Sequence, residues 1–313
     1  MDENHVDNSA IEALPPLKEL VASLDMRARK SLGQNFLFDL NLTRRIARSA
    51  ANLNGTTIEV GPGPGGLTRA LLLEGAENVI AVEKDFRAAT VLDSLLTAAG
   101  DRLRLVEGDA LKTPVWEMGS APRRIVANLP YNIATTLLLQ WLGQAQAFES
   151  MTLMFQREVA ERITAQPGSS AYGRLSILTG WIADAAILFD IPPDAFVPAP
   201  KVTSSVVQIR PLAAPRFECD RKALEEVTRL AFGQRRKMLR VSLKPIGGEA
   251  MLEAAGIDPQ CRPQDSTSGL SANWHADWAR RGLFHVGLER ADEPGHADLA
   301  VAAQPFRRQD GAN

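Results

Sequence analysis

Short apolar runs alternate with longer amphipathic stretches between about residue 57 and residue 155. Five of these runs predict β-strands, at residues 57–60, 79–82, 103–106, 125–127 and 151–155. Apolar residues at helical spacing lie between them, as at residues 67–73 and 86–96. Because strands and helices alternate, the pattern indicates an α/β fold with a parallel sheet covered on both faces. A sixth β-rich run, at residues 205–209, follows a proline-rich loop.

The two ends of the chain differ from this central pattern. Residues 1–13 are polar, and we expect them to be disordered, whereas apolar residues from Leu17 to Leu24 recur at helical spacing. The segment 211–215 has the composition of a linker, and residues 221–282 contain only helical patterns. From about residue 291 the chain has no apolar periodicity, which predicts a disordered tail.

Composition narrows the class of protein without identifying it. With 313 residues, 45% hydrophobic and 23% charged, the chain is long enough for a large soluble domain and a small one. Its two cysteines, Cys219 and Cys261, have no zinc-ligand spacing, so we expect no metal and a reducing, cytoplasmic location. No basic signal sequence and no apolar run near the ~20 residues of a membrane span is visible, so we expect no membrane contact.

A glycine-rich turn follows the first predicted strand, with the sequence Gly61-Pro62-Gly63-Pro64-Gly65-Gly66. Such a turn between a strand and a helix lets the backbone approach a nucleotide closely. The next strand leads into Glu83, which is placed to accept hydrogen bonds from both ribose hydroxyls. Asp109 follows the third strand and could face an adenine amino group. Together these positions indicate a nucleoside cofactor, but they do not choose between NAD and S-adenosylmethionine.

The fourth strand ends in Asn128-Leu129-Pro130-Tyr131, and this tetrapeptide favours S-adenosylmethionine. An aromatic amine is a poor nucleophile because its lone pair is delocalised into the ring. The Asn128 side-chain oxygen, with the carbonyl of Leu129 or Pro130, can accept from the amine hydrogens and free that lone pair. Tyr131 can stack on a flipped-out base. If stacking is its whole role, phenylalanine should replace it.

Several blocks of sequence, in a fixed order, match a known family. They lie at residues 31–37, 59–68, 128–133, 155–160, 172–176, 196–202 and 231–237. On these blocks the chain resembles the ribosomal RNA adenine N6-dimethyltransferases from about Arg27 to Arg281, most closely the bacterial small-subunit (16S) branch. The resemblance implies a Rossmann-like seven-stranded methyltransferase sheet followed by a small all-α C-terminal domain. It divides the chain into an N-terminal extension (1–26), a methyltransferase domain (27–212), a helical RNA-binding domain (213–290) and the tail (291–313).

The resemblance also implies site residues and a substrate. The cofactor would be S-adenosyl-L-methionine, bound by Asn35, Leu37, Gly61, Gly63, Glu83, Asp109 and Asn128. The catalytic residues would be Asn128, Leu129, Pro130, Tyr131 and Phe196, with Phe196 facing the target adenine opposite Tyr131. The substrate would be two adjacent adenosines near the 3′ end of 16S rRNA, in the small ribosomal subunit or its precursor. Each would be dimethylated during ribosome biogenesis, and we expect the protein to act as a monomer.

A local excess of positive charge supports RNA binding. Residues 221–244 contain eight basic and two acidic side chains, although the whole chain has a net charge of -2. Arg236 and Arg240 lie four residues apart and therefore share a helix face that can neutralise phosphates. We predict that Arg235, Arg236, Lys237 and Arg240 contact RNA. The family's usual small polar residue after this block is Met238 here, which departs from the pattern at one RNA-side position.

Three alternatives compete with a small-subunit rRNA methyltransferase. The glycine loop alone also fits an NAD-dependent oxidoreductase, although no hydride-handling site is evident. A non-catalytic ribosome-assembly factor could use the same scaffold, but Asn128 to Tyr131 show none of the degeneration expected of it. A large-subunit rRNA adenine methyltransferase is a close enzymatic relative, and the block at residues 233–237 favours the small-subunit enzyme.

Overall fold

A seven-stranded sheet forms the centre of this computed structural model, which describes residues 7–24, 28 and 33–263. The strands within these residues are β1 (Phe36–Leu37), β2 (Thr56–Val60), β3 (Asn78–Glu83), β4 (Leu103–Glu107), β5 (Arg123–Asn128), β6 (Ser150–Gln156), β7 (Ala183–Ile191), β8 (Phe196–Val197) and β9 (Ser204–Pro211). The large sheet has the order β4-β3-β2-β5-β6-β9-β7, and β1 pairs with β8 in a separate two-stranded sheet. This is the α/β, seven-stranded architecture that the resemblance implies.

Helices connect the strands and cover both faces of the sheet. Within the described residues they are α1 (Ser9–Glu12), α2 (Leu17–Ser23), α3 (Leu40–Ser49), α4 (Gly66–Leu73), α5 (Arg87–Ala99), α6 (Tyr131–Leu142), α7 (Arg157–Thr164), α8 (Arg174–Ile182), α9 (Arg221–Gly233), α10 (Leu239–Ser242) and α11 (Gly248–Ala254). One hydrophobic cluster joins the sheet to α6, α8 and α9, and a second joins it to α3, α4 and α5. Because both faces are covered, every residue of β2 is buried.

Six of the seven large-sheet strands are where the sequence predicts them, but the parallel arrangement is incomplete. Strands β2 to β6 are parallel, whereas β9 is antiparallel to both β6 and β7. No α-helix crosses over between β7 and β9 in residues 192–203, which contain one short 3₁₀ turn and β8, and an antiparallel pairing needs none. Strand β7 was not predicted because it is an alanine-rich edge strand whose middle residues are largely exposed, so it lacks apolar alternation.

The expectation that residues 1–13 are disordered is wrong for residues 8–13. Helix α1 forms there and buries Ile11, which is 1% exposed. The Arg69 guanidinium donates to four backbone carbonyls between residues 11 and 15. Arg102 donates to a side-chain oxygen of the same segment at 2.9 Å. Both arginines are distant in sequence from residues 8–13, so the polar composition of this segment gave no indication that they hold it. Residues 1–6 lie outside the described part of the chain.

The C-terminal helices pack directly on the sheet-bearing part of the chain. Asp220 accepts from the Ala223 N–H at 2.8 Å and so caps α9, while the Arg221 guanidinium donates to the Leu139 carbonyl at 2.7 Å. Helices α9, α10 and α11 confirm the helical patterns as far as residue 254, but the domain boundaries stay predictions. The remainder of the predicted helical region and the tail lie outside the described residues. None of the helices in the described ranges is long and apolar enough to cross a membrane.

Candidate active site

The carboxyl ends of the parallel strands surround the cavity at the centre of the candidate site. The chain runs outward from β2 to β3 and β4, and then returns to the other side of β2 with β5, so the strand order reverses between β2 and β5. Open α/β sheets bind ligands at such a reversal. All the residues predicted to bind a cofactor line this cavity: Asn35, Leu37, Gly61, Gly63, Glu83, Asp109 and Asn128.

The glycine-rich turn packs tightly against the segment that contains β1. Gly63 has φ +53°, a backbone conformation that favours glycine, and a Cβ there would lie 3.1 Å from the Phe36 ring. A Cβ on Gly66 would collide with the Leu37 carbonyl oxygen. The close approach therefore excludes a side chain at Gly66 and disfavours one at Gly63, because the β1 segment passes over the turn at one side of the cavity.

Three backbone N–H groups hold the Glu83 carboxylate in place. Oε2 accepts from Gly63 at 3.0 Å, and Oε1 accepts from Lys84 at 2.8 Å and from Asp85 at 2.7 Å. Burial raises the pKa of Glu83, which is 9% exposed, and these three hydrogen bonds oppose the rise. The side chain is thus an oriented acceptor that lines the cavity, as its place at the end of β3 predicts.

Asp109 is paired with a lysine that sequence reasoning missed. The Lys84 Nζ lies 2.8 Å from Asp109 Oδ2, and Asp109 Oδ1 accepts from the Leu111 N–H at 3.1 Å. The Lys84 ammonium holds the pKa of Asp109 below its ordinary value. Both side chains line the cavity. The signal that could have identified Lys84 is its place directly after Glu83, at the end of the strand that neighbours β4.

The Asn128 side-chain amide makes one hydrogen bond to the described residues, through its nitrogen. Its Nδ2 donates to the Asn35 carbonyl at 3.0 Å, while its Oδ1 accepts no hydrogen bond from the described residues. The Pro130 carbonyl already accepts from the N–H groups of Ile133 and Ala134, at 3.1 and 3.0 Å. Of the two carbonyls that the sequence left open, that of Leu129 is therefore the better placed to accept a second hydrogen from a ligand.

Tyr131 and Phe196 are not among the residues that line the cavity. The Tyr131 hydroxyl lies 2.5 Å from Ser204 Oγ, which directs the side chain toward the start of β9. Phe196 lies in β8 opposite Leu37 of β1, but its side chain is 2% exposed and packs in a core cluster. The predicted placement of Phe196 against a target base stays a prediction.

Glu59, at the cavity wall, is a second buried carboxylate that sequence reasoning missed. It is 1% exposed, and its Oε2 has no hydrogen-bond partner among the described residues. Burial raises the pKa of Glu59 to about 8, and the charge of nearby Glu83 adds to the rise. Glu59 faces the cavity from the strand that enters the glycine turn. Over the described ranges, no group of three or more His, Cys, Asp or Glu side chains could hold a metal.

The four predicted RNA-binding residues have different environments. The Arg235 guanidinium donates to the backbone carbonyls of Ser170, at 3.1 Å, and Tyr172, so it ties α9 to the loop before α8. Arg236 and Lys237 are exposed in the turn that follows α9, whereas Arg240 lies in α10. The prediction that Arg236 and Arg240 share a helix face is therefore wrong, because the chain leaves the helical conformation between residues 234 and 238. Arg240 is also exposed, and lies 3.8 Å from Glu249. The structure thus leaves Arg236, Lys237 and Arg240 available to phosphates, whereas Arg235 is engaged with the protein.

Comparisons with known proteins agree on one class of enzyme. The family model described as "Ribosomal RNA adenine dimethylase" matches residues 25–274. A ribosomal RNA small subunit methyltransferase A from Rhodospirillum rubrum is 54% identical over 255 residues, covering 81% of this chain and 88% of the relative. The crystal structure of a dimethyladenosine transferase from Plasmodium falciparum aligns with a TM-score of 0.57 at 28% identity, covering 70% of this chain and 78% of that one. That of the 23S rRNA methyltransferase ErmE aligns with a TM-score of 0.56 at 27% identity, covering 83% and 100%.

The raised pKa of Glu59 predicts a specific pH dependence of stability. Its folded-state pKa is about 8 and its ordinary value is 4.5, so between these values the folded state binds one proton more than the unfolded state. This contribution to stability is complete below the ordinary pKa and is lost as the pH rises through the folded value, at up to about 1.4 kcal/mol per pH unit. We therefore expect Glu59→Gln to flatten the fall in the free energy of unfolding between about pH 5 and pH 8.

Urea denaturation over this pH range measures the effect. Glu107→Gln, at an exposed carboxylate on β4, is the matched control and should leave the wild-type slope unchanged. Equal slopes for wild type and Glu59→Gln would show that Glu59 is not the titrating group.

Proposed function

Since the chain belongs to the ribosomal RNA adenine dimethylase family, we propose that it transfers methyl groups from S-adenosylmethionine to N6 of two adjacent adenosines near the 3′ end of 16S rRNA. Each adenosine becomes N6,N6-dimethyladenosine, as a step in ribosome biogenesis. The observation that carries this proposal is Asn128, which lines the cavity together with Leu129 and whose amide oxygen accepts no hydrogen bond from the described residues. We further propose that the protein acts in the cytoplasm as a monomer.

The residues of the cavity fit S-adenosylmethionine by the chemistry of their donors and acceptors. When bound, this cofactor supplies a methyl group on a positively charged sulfur. Glu83 presents an oriented carboxylate for the two ribose hydroxyls, and Asp109 presents one for the adenine amino group. Gly61 and Gly63 allow the backbone to approach the methionine end, and Leu37 and the Asn35 segment close the cavity from the β1 side.

Asn128 and Leu129 act on the target amine. In the first transfer the Asn128 Oδ1 and the Leu129 carbonyl accept the two amine hydrogens, and in the second transfer one of them accepts the hydrogen that remains. These hydrogen bonds draw the nitrogen toward tetrahedral geometry and expose its lone pair to the methyl group. These hydrogen bonds strengthen as the nitrogen becomes tetrahedral, so they lower the barrier and not just the ground state. No general base is needed, because the amine becomes acidic once it is methylated and then releases a proton to water.

The small subunit is the proposed substrate because of the relatives' names and not because of the fold. The two solved structures differ in TM-score by 0.01, although one is described as a 23S rRNA enzyme. The relative from Rhodospirillum rubrum is named for the small subunit and is 54% identical. The choice between small and large subunit can be tested directly. The protein is incubated with labelled S-adenosylmethionine and undermethylated small or large subunits, and the nucleosides are then analysed. Label in the large subunit alone would favour the alternative substrate.

We expect Glu83→Ala to weaken S-adenosylmethionine binding by about ten- to a hundredfold, because hydrogen bonds to a charged group contribute about 1.5–3 kcal/mol. Calorimetry measures the affinity, and a thermal melt checks that the variant is folded. Glu107→Ala is the matched control: Glu107 lies opposite Glu83 on β4 but is exposed and outside the cavity. Unchanged affinity in a folded Glu83→Ala protein would remove Glu83 from the cofactor site.

Asn128→Ala should lower the rate of methyl transfer by about 10²–10³, because it removes a preorganised acceptor from the reacting centre. Single-turnover transfer to undermethylated subunits measures this rate with cofactor and RNA bound. The matched control is Asn78→Ala, since Asn78 begins β3 at the opposite edge of the sheet. A wild-type rate for Asn128→Ala would exclude the proposed chemistry.

The double charge reversal Arg236→Glu/Lys237→Glu should weaken binding to small subunits without changing cofactor affinity. Both side chains are exposed, so the change should not unfold the protein, and the salt dependence should fall by about one unit of log–log slope per lost phosphate contact. Arg104→Glu/Arg210→Glu is the matched control, because both arginines are exposed at the amino-terminal edge of the parallel strands. If the two double variants bind small subunits alike, the RNA surface lies elsewhere.

A further inference from the structure

The Tyr131 side chain is anchored by its hydroxyl, away from the reacting atoms. Its phenolic oxygen lies 2.5 Å from Ser204 Oγ. The residues before and after it, Pro130 and Asn132, line the cofactor cavity, whereas Tyr131 does not. The hydrogen bond therefore directs the ring out of the cofactor cavity and toward β6 and β9.

Ser204 is a rigid anchor because strands hold it on both sides. It is the first residue of β9, and it pairs with Gln156 of β6 and with Ile191 of β7. Its side chain is fully buried, at 0% exposure. A hydroxyl held in this way occupies one position relative to the sheet, and so does the phenol oxygen bonded to it.

We propose that Ser204 is a positioning residue that holds the axis of the Tyr131 ring in the direction from which the ring stacks on the target adenine. The inference rests on the proposed function and adds to it a residue outside the catalytic tetrapeptide. A stacking side chain is effective when its orientation is set before the base arrives, since less freedom is then lost on binding. The hydrogen bond fixes the end of the ring furthest from the backbone, and it therefore sets the direction of the axis that runs from Cβ through the ring to the phenolic oxygen.

This role changes the expectation for the phenylalanine variant. Stacking alone predicts that Tyr131→Phe is as active as wild type, because the ring is unchanged. The anchor predicts that Tyr131→Phe and Ser204→Ala lose the same hydrogen bond and therefore have the same defect. A net hydrogen-bond contribution of ordinary size corresponds to about a two- to tenfold slower single-turnover rate.

A double-mutant cycle tests this prediction. Ser204→Ala and Tyr131→Phe should each slow methyl transfer by about two- to tenfold, with cofactor affinity unchanged, and the double variant should be no slower than either single variant. Ser205→Ala is the matched control, because this neighbouring buried serine donates to Asp190 at 2.6 Å instead. A wild-type rate for Ser204→Ala, or a double variant whose defect is the product of the two single defects, would overturn the proposal.

The order of the ring can be measured without an activity assay. The chain has just two tyrosines, so ¹³C-labelled tyrosine gives two sets of aromatic NMR signals, and Tyr172→Phe assigns them. Ser204→Ala should shift and broaden the Tyr131 signals and leave those of Tyr172 in place; unchanged Tyr131 signals would contradict the anchor. Should the wild-type protein transfer no methyl group to rRNA, the proposed function fails, while this comparison still decides whether Ser204 orders the ring.

Discussion

The site depends on one constraint, which is that parallel strands end at the same edge of a sheet. Strands β2, β3, β4 and β5 are parallel neighbours, so the residues that follow them meet although they are distant in sequence. The reversal of strand order beside β2 opens a gap between the loops at this edge, and the cavity lies there. Burial of both faces by helices keeps the strands in register. The loops can therefore differ in chemistry while their starting points stay fixed.

Sequence patterns predicted the residues whose roles depend on where a strand ends. Strand ends can be located from apolar runs without a structure, and Glu83, Asp109 and Asn128 each follow a predicted strand. In the structure all three line one cavity. Strand β7 was missed for the opposite reason. An edge strand with an exposed middle has no buried face over most of its length, so no periodicity marks it.

Contacts between distant residues could not be predicted in this way. Arg69 captures the N-terminal segment through backbone carbonyls, which have no sequence signature. Arg235 likewise binds carbonyls, so a residue that looks like part of a basic RNA surface serves the packing of the protein. Ser204 lies 73 residues from Tyr131, and nothing near either residue indicates their hydrogen bond. Burial of Glu59 requires the complete fold, since its strand is buried on both faces.

The short pairing of β1 with β8 connects one wall of the cofactor cavity to the segment between β7 and β9. Leu37 lines the cofactor cavity, and its partner across the pair is Phe196, the first residue of β8. Because β1 carries Asn35 at its entrance and Asn128 donates to the Asn35 carbonyl, the catalytic loop belongs to the same connected unit. A ligand that displaces β1 must move β8 or break the pairing. A ligand in the cofactor cavity can therefore change the affinity for a ligand on the β8 side through this unit. By thermodynamic reciprocity, the ligand on the β8 side then changes the affinity for the ligand in the cavity by the same factor.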